Sequence, residues 1–133
     1  TILASAAKRI KRLIDEGLEP YDAFNVVQHH MIEVAQAYLE RILLEQFHEN
    51  ISQVQDQAIQ AVLKQLAQLF ALSVIEKNKA WYLEEGYMEP VKTKAIRKMV
   101  NQLCWEIRPN AVGLVDAFAI PDSCLAAPIV FQN

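Results

Sequence analysis

The sequence predicts an all-α fold, a helical bundle of about five helices built on a long antiparallel helix hairpin. Apolar residues recur every three or four positions through most of the 133 residues, which is the spacing of helices that bury one face. No stretch alternates apolar and polar residues for the length of a strand, so we expect no sheet. The chain is short enough to form one domain over residues 1–133, with no internal repeat.

The first helix is predicted from Ile2 to Glu16, with Leu3, Ala6, Ile10 and Leu13 as its apolar stripe. Gly17 then ends it, because glycine adopts the left-handed conformation that often follows a helix. Pro20 is suited to the first turn of the next helix, where its missing N–H is not needed.

Two long helices come next and form the predicted hairpin. The second runs from Tyr21 to His48, and the third from Gln53 to Glu76. Ser52 and Gln55 have the spacing of a capping box, which places the start of the third helix directly after Ser52. Because the connection is short, we expect the two helices to pack antiparallel.

The last third of the chain is predicted as a short helical turn followed by an interrupted helix. The turn spans Trp81–Leu83 and ends at Gly86. Pro90 opens the fifth helix, which runs to Arg108 and continues beyond Pro109 to Phe118. Its inward residues are predicted from the helical spacing: Ile96, Met99, Val100 and Leu103.

The composition indicates a domain that packs on something else. It is 53% hydrophobic with a mean hydropathy of +0.07, more than a small domain is expected to bury alone. We therefore expect the chain to associate. The net charge of −3 argues against nucleic-acid binding by the domain as a whole, and no apolar run of about 18 residues predicts a membrane span. No signal peptide pattern is visible at the start.

Several classes of site are excluded or disfavoured by residue type and spacing. The three glycines, Gly17, Gly86 and Gly113, form neither a dinucleotide-binding nor a P-loop pattern. Cys104 and Cys124 are interpreted as buried free thiols, with a disulfide as the alternative. We predict no metal site, because Glu45 and His48 have the di-iron spacing but lack the second Glu-x-x-His and the further glutamates.

The remaining charged and aromatic groups have structural interpretations and open alternatives. Adjacent His29 and His30 point about 100° apart on a helix, so we expect one half-buried and one exposed; a catalytic role is the alternative. A basic patch consists of Lys92, Lys94, Arg97 and Lys98. It is interpreted as a solvated helix face, with binding to phosphates of coenzyme A or a flavin as the alternative.

An aromatic group consists of Trp81, Tyr82, Tyr87 and Trp105. It is interpreted as core or interface packing, with a substrate-tunnel cap as the alternative.

The segment from Trp105 to Asp122, here called the signature segment, is the most informative part of the chain. Arg108, Asn110 and Asp116 interrupt an otherwise apolar helical pattern. Buried polar groups need partners. We therefore predict a structural polar network of these three residues that pins the interrupted helix to its neighbours. Contact with a cofactor or substrate across a domain boundary is the alternative.

The signature segment resembles the C-terminal helical domain of acyl-CoA oxidases, above all in Asp116-Ala117-Phe118 and Pro121-Asp122. The resemblance extends over most of the chain. Its other parts are Leu3–Ala7, Asp22–Asn25, Ile59–Leu63, Trp81–Tyr87 and Lys94–Ile96. The chain departs from the family pattern after Ala127-Pro128-Ile129, where the usual Asp-Gly-x-x-Tyr run is missing.

The resemblance implies a piece of an FAD enzyme of fatty-acid β-oxidation that converts an acyl-CoA and O₂ to trans-2-enoyl-CoA and H₂O₂. In such enzymes a carboxylate base removes the α-proton and the β-hydride passes to the flavin. No residue of this chain matches the catalytic position, so we expect the chain alone to be non-catalytic and not to hold FAD.

The implied partners are an upstream catalytic domain of the same protein, a second subunit in a homodimer and, through the whole enzyme, the acyl-CoA. The implied location is the peroxisome for a eukaryotic protein and the cytoplasm for a bacterial one. The alternative function is a free-standing, non-catalytic helical interaction module descended from this family.

Overall fold

The computed structural model describes residues 2–124, and within them every regular element is helical, which confirms the all-α prediction. The elements fall into two compact units that divide between residues 50 and 51. One domain over residues 1–133 stays a prediction. The α-helices are α1 Ile2–Asp15, α2 Pro20–Val26, α3 Gln28–Ser52, α4 Gln57–Lys77, α5 Lys79–Glu84, α6 Pro90–Ile107 and α7 Ala111–Asp116. Short 3₁₀ turns lie at Arg108–Asn110 and Asp122–Cys124.

In the first unit, α1 and α2 pack together across a turn that the sequence predicts correctly. Gly17 has a φ of +99°. Its N–H donates to the Ile14 carbonyl at 2.9 Å, and the Leu18 N–H donates to the Leu13 carbonyl at 3.0 Å. These two bonds form a Schellman motif, which satisfies the last carbonyls of α1. Pro20 is the first residue of α2, as expected.

The predicted second helix, Tyr21–His48, is wrong as a single element because it breaks at Val27. Val27 leaves helical geometry (φ −102°, ψ 11°), and its N–H bonds back to the Phe24 carbonyl at 3.1 Å. Val27 is 2% exposed, and Ala6 and Ala23 are fully buried. The break coincides with the largest fully buried side chain of the described residues, so local packing overrides the helical pattern there.

The second unit is organised by the packing of α4 against α6. Its buried side chains are Ala67 on α4, Leu103 and Ile107 on α6, and Ile51 at the end of α3. Two polar contacts also join α4 to α6: Arg97 Nε donates to Glu76 Oε1 at 2.8 Å, and Gln65 Nε2 donates to Glu106 Oε2 at 3.2 Å. The antiparallel packing of the two long helices stays a prediction.

Two predictions about this unit are wrong. The first residue of α4 is Gln57, and its N-cap is Asp56 rather than Ser52. The Asp56 carboxylate accepts from the N–H groups of Ala58 at 2.8 Å and Ile59 at 3.1 Å. A carboxylate is favoured over a hydroxyl there because it also interacts with the helix dipole. Met99, predicted to be inward, is 51% exposed, because α6 turns its Leu103 and Ile107 side toward α4 instead.

The two predicted interruptions of the last third are confirmed. The short helix α5 is followed by Gly86 at φ +71°, and the N–H groups of Tyr87 and Met88 both donate to the Tyr82 carbonyl. Pro90 begins α6. Pro109 lies in the 3₁₀ turn that separates α6 from α7, as expected for a residue without a backbone donor.

Candidate interface on alpha6 and the signature segment

The exposed side of α6 ends in a tryptophan and an arginine that contact each other. The Arg108 guanidinium carbon lies 5.3 Å from the centroid of the Trp105 ring, which is cation–π distance. Trp105 is nevertheless 69% exposed, and Arg108 is also exposed. Trp105 faces solvent beside the arginine and makes no ring contact with the other aromatics of the described residues, so core packing is wrong for it, whereas packing at an interface stays a prediction.

Apolar exposure continues from Trp105 through α7. Val112, Val115 and Phe118 are each at least two-thirds exposed, with Phe118 at 76%. The buried or half-buried residues of the same segment are separated by four and seven positions: Leu103, Ile107 and Leu114. The helical path therefore has an inner side that packs within the unit and an outer side that does not. The four exposed apolar side chains leave roughly 500 Å² in water, within the range of the largest patches on ordinary monomers.

The three residues of the predicted polar network are all exposed. Arg108 follows α6, Asn110 ends the 3₁₀ turn and Asp116 ends α7. No side-chain hydrogen bond or ion pair joins any two of them in the described part of the chain. The burial on which the prediction rested is therefore not provided by this chain. A network formed against a covering surface stays a prediction.

The predicted basic patch is divided by its partners. Arg97 bonds to Glu76, and Lys92 Nζ lies 3.9 Å from Glu89 Oε2. Lys94 and Lys98 are exposed and have no carboxylate partner among residues 2–124. Separations of four, seven and three positions along the helix join Lys94, Lys98, Trp105 and Arg108, so all four lie on one side of it. This side is called the outer face of α6 below.

Sequence reasoning did not group these four residues, although their spacing contains the signal. The sequence places Lys94 and Lys98 in one charge run with Lys92, which points to the other side of the helix, and with Arg97, which is paired with Glu76. The information that was lacking was which cations are neutralised locally. Glu76 comes from α4, so that ion pair depends on tertiary packing.

The other candidate residues contact their neighbours in the chain, and the catalytic and substrate-tunnel alternatives stay untested. His29 is exposed with Nε2 at 3.2 Å from Glu33 Oε1, and His30 is half-buried, as predicted for an adjacent pair. Trp81 packs edge-on against Tyr82 and stacks on Tyr87 at centroid distances of 5.1 and 5.4 Å. The described residues contain no cluster of three or more metal-ligating side chains.

The two cysteines differ from the prediction of buried thiols. Cys104 and Cys124 are both free and both exposed. Cys104 follows the buried Leu103 directly, and adjacent helical residues point about 100° apart, so one of the two faces outward. The residues Ala127-Pro128-Ile129, where the sequence departs from the family pattern, lie outside the described residues.

One described helix, α4, is long and apolar enough by length and composition to cross a membrane, with a mean hydropathy of 1.5. This is weak evidence, since core helices of soluble proteins pass the same test. Gln65 and Glu76 on α4 bond to α6. We therefore interpret α4 as a helix that packs against protein, and the absence of a membrane span stays a prediction.

Comparison with known proteins places this all-α arrangement in one class, the helical domain of acyl-CoA oxidases. The acyl-CoA oxidase family model matches residues 1–132. A crystal structure of acyl-CoA oxidase-2 from Caenorhabditis elegans, bound with FAD, ascaroside-CoA and ATP, has the same fold with a TM-score of 0.82. It is 24% identical, over 91% of this chain and 18% of that one.

Two curated relatives match over nearly the whole chain. Acyl-coenzyme A oxidase 2 of Yarrowia lipolytica is 34% identical over 96% of this chain and 18% of its own length. Peroxisomal acyl-coenzyme A oxidase 2 of Arabidopsis thaliana is 33% identical over 99% of this chain and 19% of its own length. The chain belongs to the acyl-CoA oxidase family. It spans less than one-fifth of the length of these relatives.

Proposed function

We propose that this chain is the C-terminal helical domain of an FAD-dependent acyl-CoA oxidase. The whole enzyme would convert a fatty acyl-CoA and O₂ to trans-2-enoyl-CoA and H₂O₂. The observation that carries the proposal is the family match over residues 1–132, together with relatives named as acyl-coenzyme A oxidases. In a eukaryote the protein would be peroxisomal, like the Arabidopsis relative; in a bacterium it would be cytoplasmic.

Three of the described helix starts are poorly suited to hold a flavin phosphate. Phosphate groups are commonly held at helix N-termini that offer free N–H groups and a positive dipole end. Three of the helix starts carry an acidic residue at the N-cap instead: Glu19 before α2, Asp56 before α4 and Glu89 before α6. A carboxylate there repels phosphate. FAD and the catalytic base would therefore belong to the upstream catalytic domain.

The role of this chain in the proposed enzyme is packing, on the catalytic half and at the interface of a homodimer. The support is the amount of apolar surface that each unit leaves in water. On α3, Ile32, Leu39 and Leu43 are each more than half exposed, and on α7 Val112 and Val115 are at least two-thirds exposed. Covering such surface is favourable by about 25 cal/mol per Å².

The test uses the intact gene product. It should be purified, examined for the visible absorbance of bound flavin, and assayed for peroxide release with acyl-CoAs of several chain lengths. A yellow protein with acyl-CoA-dependent peroxide release is expected. Flavin without peroxide would contradict the oxidase reaction and favour transfer of electrons to another acceptor. A colourless, inactive protein would contradict the proposal and favour the interaction module.

A further inference from the structure

We propose that the outer face of α6 is a docking surface for the rest of the same polypeptide, which covers it with a surface that is both acidic and apolar. The inference rests on the proposed function, because a protein as long as the relatives supplies the covering surface. It adds the location of the contact and the chemistry of the partner.

The charge of this face is uniform. Lys94, Lys98 and Arg108 are exposed and have no carboxylate partner among residues 2–124, whereas the neighbouring Arg97 and Lys92 are both neutralised locally. At 1.5 Å per residue, positions 94 to 108 extend over about 20 Å. The cations are therefore spread over a distance longer than a single phosphate group, as in a contact with another protein surface. Carboxylates are the complementary groups.

The apolar part of the face has the composition of an interface centre. Trp105 lies between the lysines and Arg108, and its ring contacts the guanidinium at 5.3 Å. Tryptophan and arginine are the residue types most enriched among side chains that dominate binding energy. The ring contact also restrains the guanidinium before any partner arrives, which lowers the entropic cost of docking. Val112 and Val115 continue the apolar surface onto α7.

A second copy of the chain is a poorer occupant of this face than the rest of the polypeptide. In a two-fold dimer the same patch meets itself, so Lys94, Lys98 and Arg108 would meet the same three cations. Like charges across an interface are unfavourable. By contrast, the relatives carry more than four-fifths of their length outside the matched region, which is ample chain for a different, acidic surface.

Lysine acetylation of the intact gene product tests the proposal. Each lysine is labelled briefly in the native protein and in urea, and its rate is read by mass spectrometry. We expect native labelling of Lys94 and Lys98 to be slower than in urea by about ten-fold or more, because a covered amine reacts only during transient opening. Lys92 is the matched control on the opposite side of the same helix, and we expect it to change little.

Charge reversal provides the second measurement. Lys98→Glu should restore fast labelling of Lys94 because it repels the acidic partner, whereas Lys92→Glu should leave Lys94 protected. Lys98→Gln, which removes the charge without reversing it, should have an intermediate effect. Equal helical circular dichroism of all the variants shows that the proteins remain folded.

Two results would overturn the inference. Labelling of Lys94 and Lys98 as fast as that of Lys92 would mean that the face is free. Protection that appears only as protein concentration rises would mean that a second copy covers it. Protection at every concentration in a protein without flavin or peroxide release would support the docking surface and count against the oxidase function, so the two failures are distinguishable.

Discussion

Replacement of Asp56 by alanine tests the observed start of α4 against the start that the sequence predicts. The carboxylate accepts two N–H bonds, at 2.8 and 3.1 Å, from Ala58 and Ile59. These groups are exposed, so water replaces the carboxylate in the variant and only the net value of the bonds is lost. Loss of an N-cap costs about 1 kcal/mol, and loss of a negative charge at the helix start adds about 0.5 kcal/mol.

The assay is urea unfolding of the 133-residue chain followed by circular dichroism. Asp56→Ala should lower the free energy of unfolding by about 1–1.5 kcal/mol, with the slope against urea unchanged. Asp56→Asn keeps a capping oxygen and should lose about 0.5 kcal/mol or less. Gln55→Ala removes the second residue of the sequence-predicted capping box and should change stability by less than about 0.5 kcal/mol. A stable Asp56→Ala variant with a destabilised Gln55→Ala variant would refute the cap.

The same unfolding assay checks two further predictions. Leu103→Ala should lower the free energy of unfolding by about 2–3 kcal/mol, because Leu103 is 8% exposed but its half-buried neighbours can partly close the space. Met99→Ala, at a half-exposed position, should lower it by less than about 1 kcal/mol. Equal losses would contradict the assigned inner side of α6. Gly17→Ala should cost about 1 kcal/mol of backbone strain at its φ of +99°, while Ala119→Gly, at φ +49°, should gain about 0.5 kcal/mol. The two exchanges should therefore change the free energy of unfolding in opposite directions. A change in the same direction would contradict the positive φ at one of the two positions.

The helix content and several boundaries could be predicted because they depend on local chemistry. Gly17, Pro20, Gly86, Pro90 and Pro109 each act through their own backbone, by a positive φ or by a missing N–H. Such effects hold whatever the rest of the chain does. For the same reason, the end of α1 and the separation of α6 from α7 were correctly expected.

The failures occurred where the outcome depends on tertiary packing or on a competing side chain. Val27 belongs to a continuous helical pattern, yet its burial accompanies a break. Ser52 has the spacing of a cap, but the stronger acceptor Asp56 follows four residues later. Met99 has core spacing on a helix whose inner side is selected by α4. None of these outcomes can be read from periodicity alone.

The sequence indicates the signature segment as informative, but it does not predict the outer face of α6. Arg108, Asn110 and Asp116 were identified from the polar interruptions of an apolar pattern, and burial was inferred from that pattern. In the described chain they are exposed beside exposed Trp105 and Phe118. Burial of these residues in a longer protein stays a prediction, since the chain is less than one-fifth of its relatives' length.

The most direct test of the account is to divide the intact gene product at the start of this chain and recombine the parts. We predict that neither the preceding part nor the 133-residue chain alone releases acyl-CoA-dependent peroxide, and that mixing or co-expressing them restores both flavin retention and peroxide release. Full activity of the preceding part alone, or peroxide release by the 133-residue chain alone, would contradict a packing domain that the enzyme requires but that does no chemistry itself.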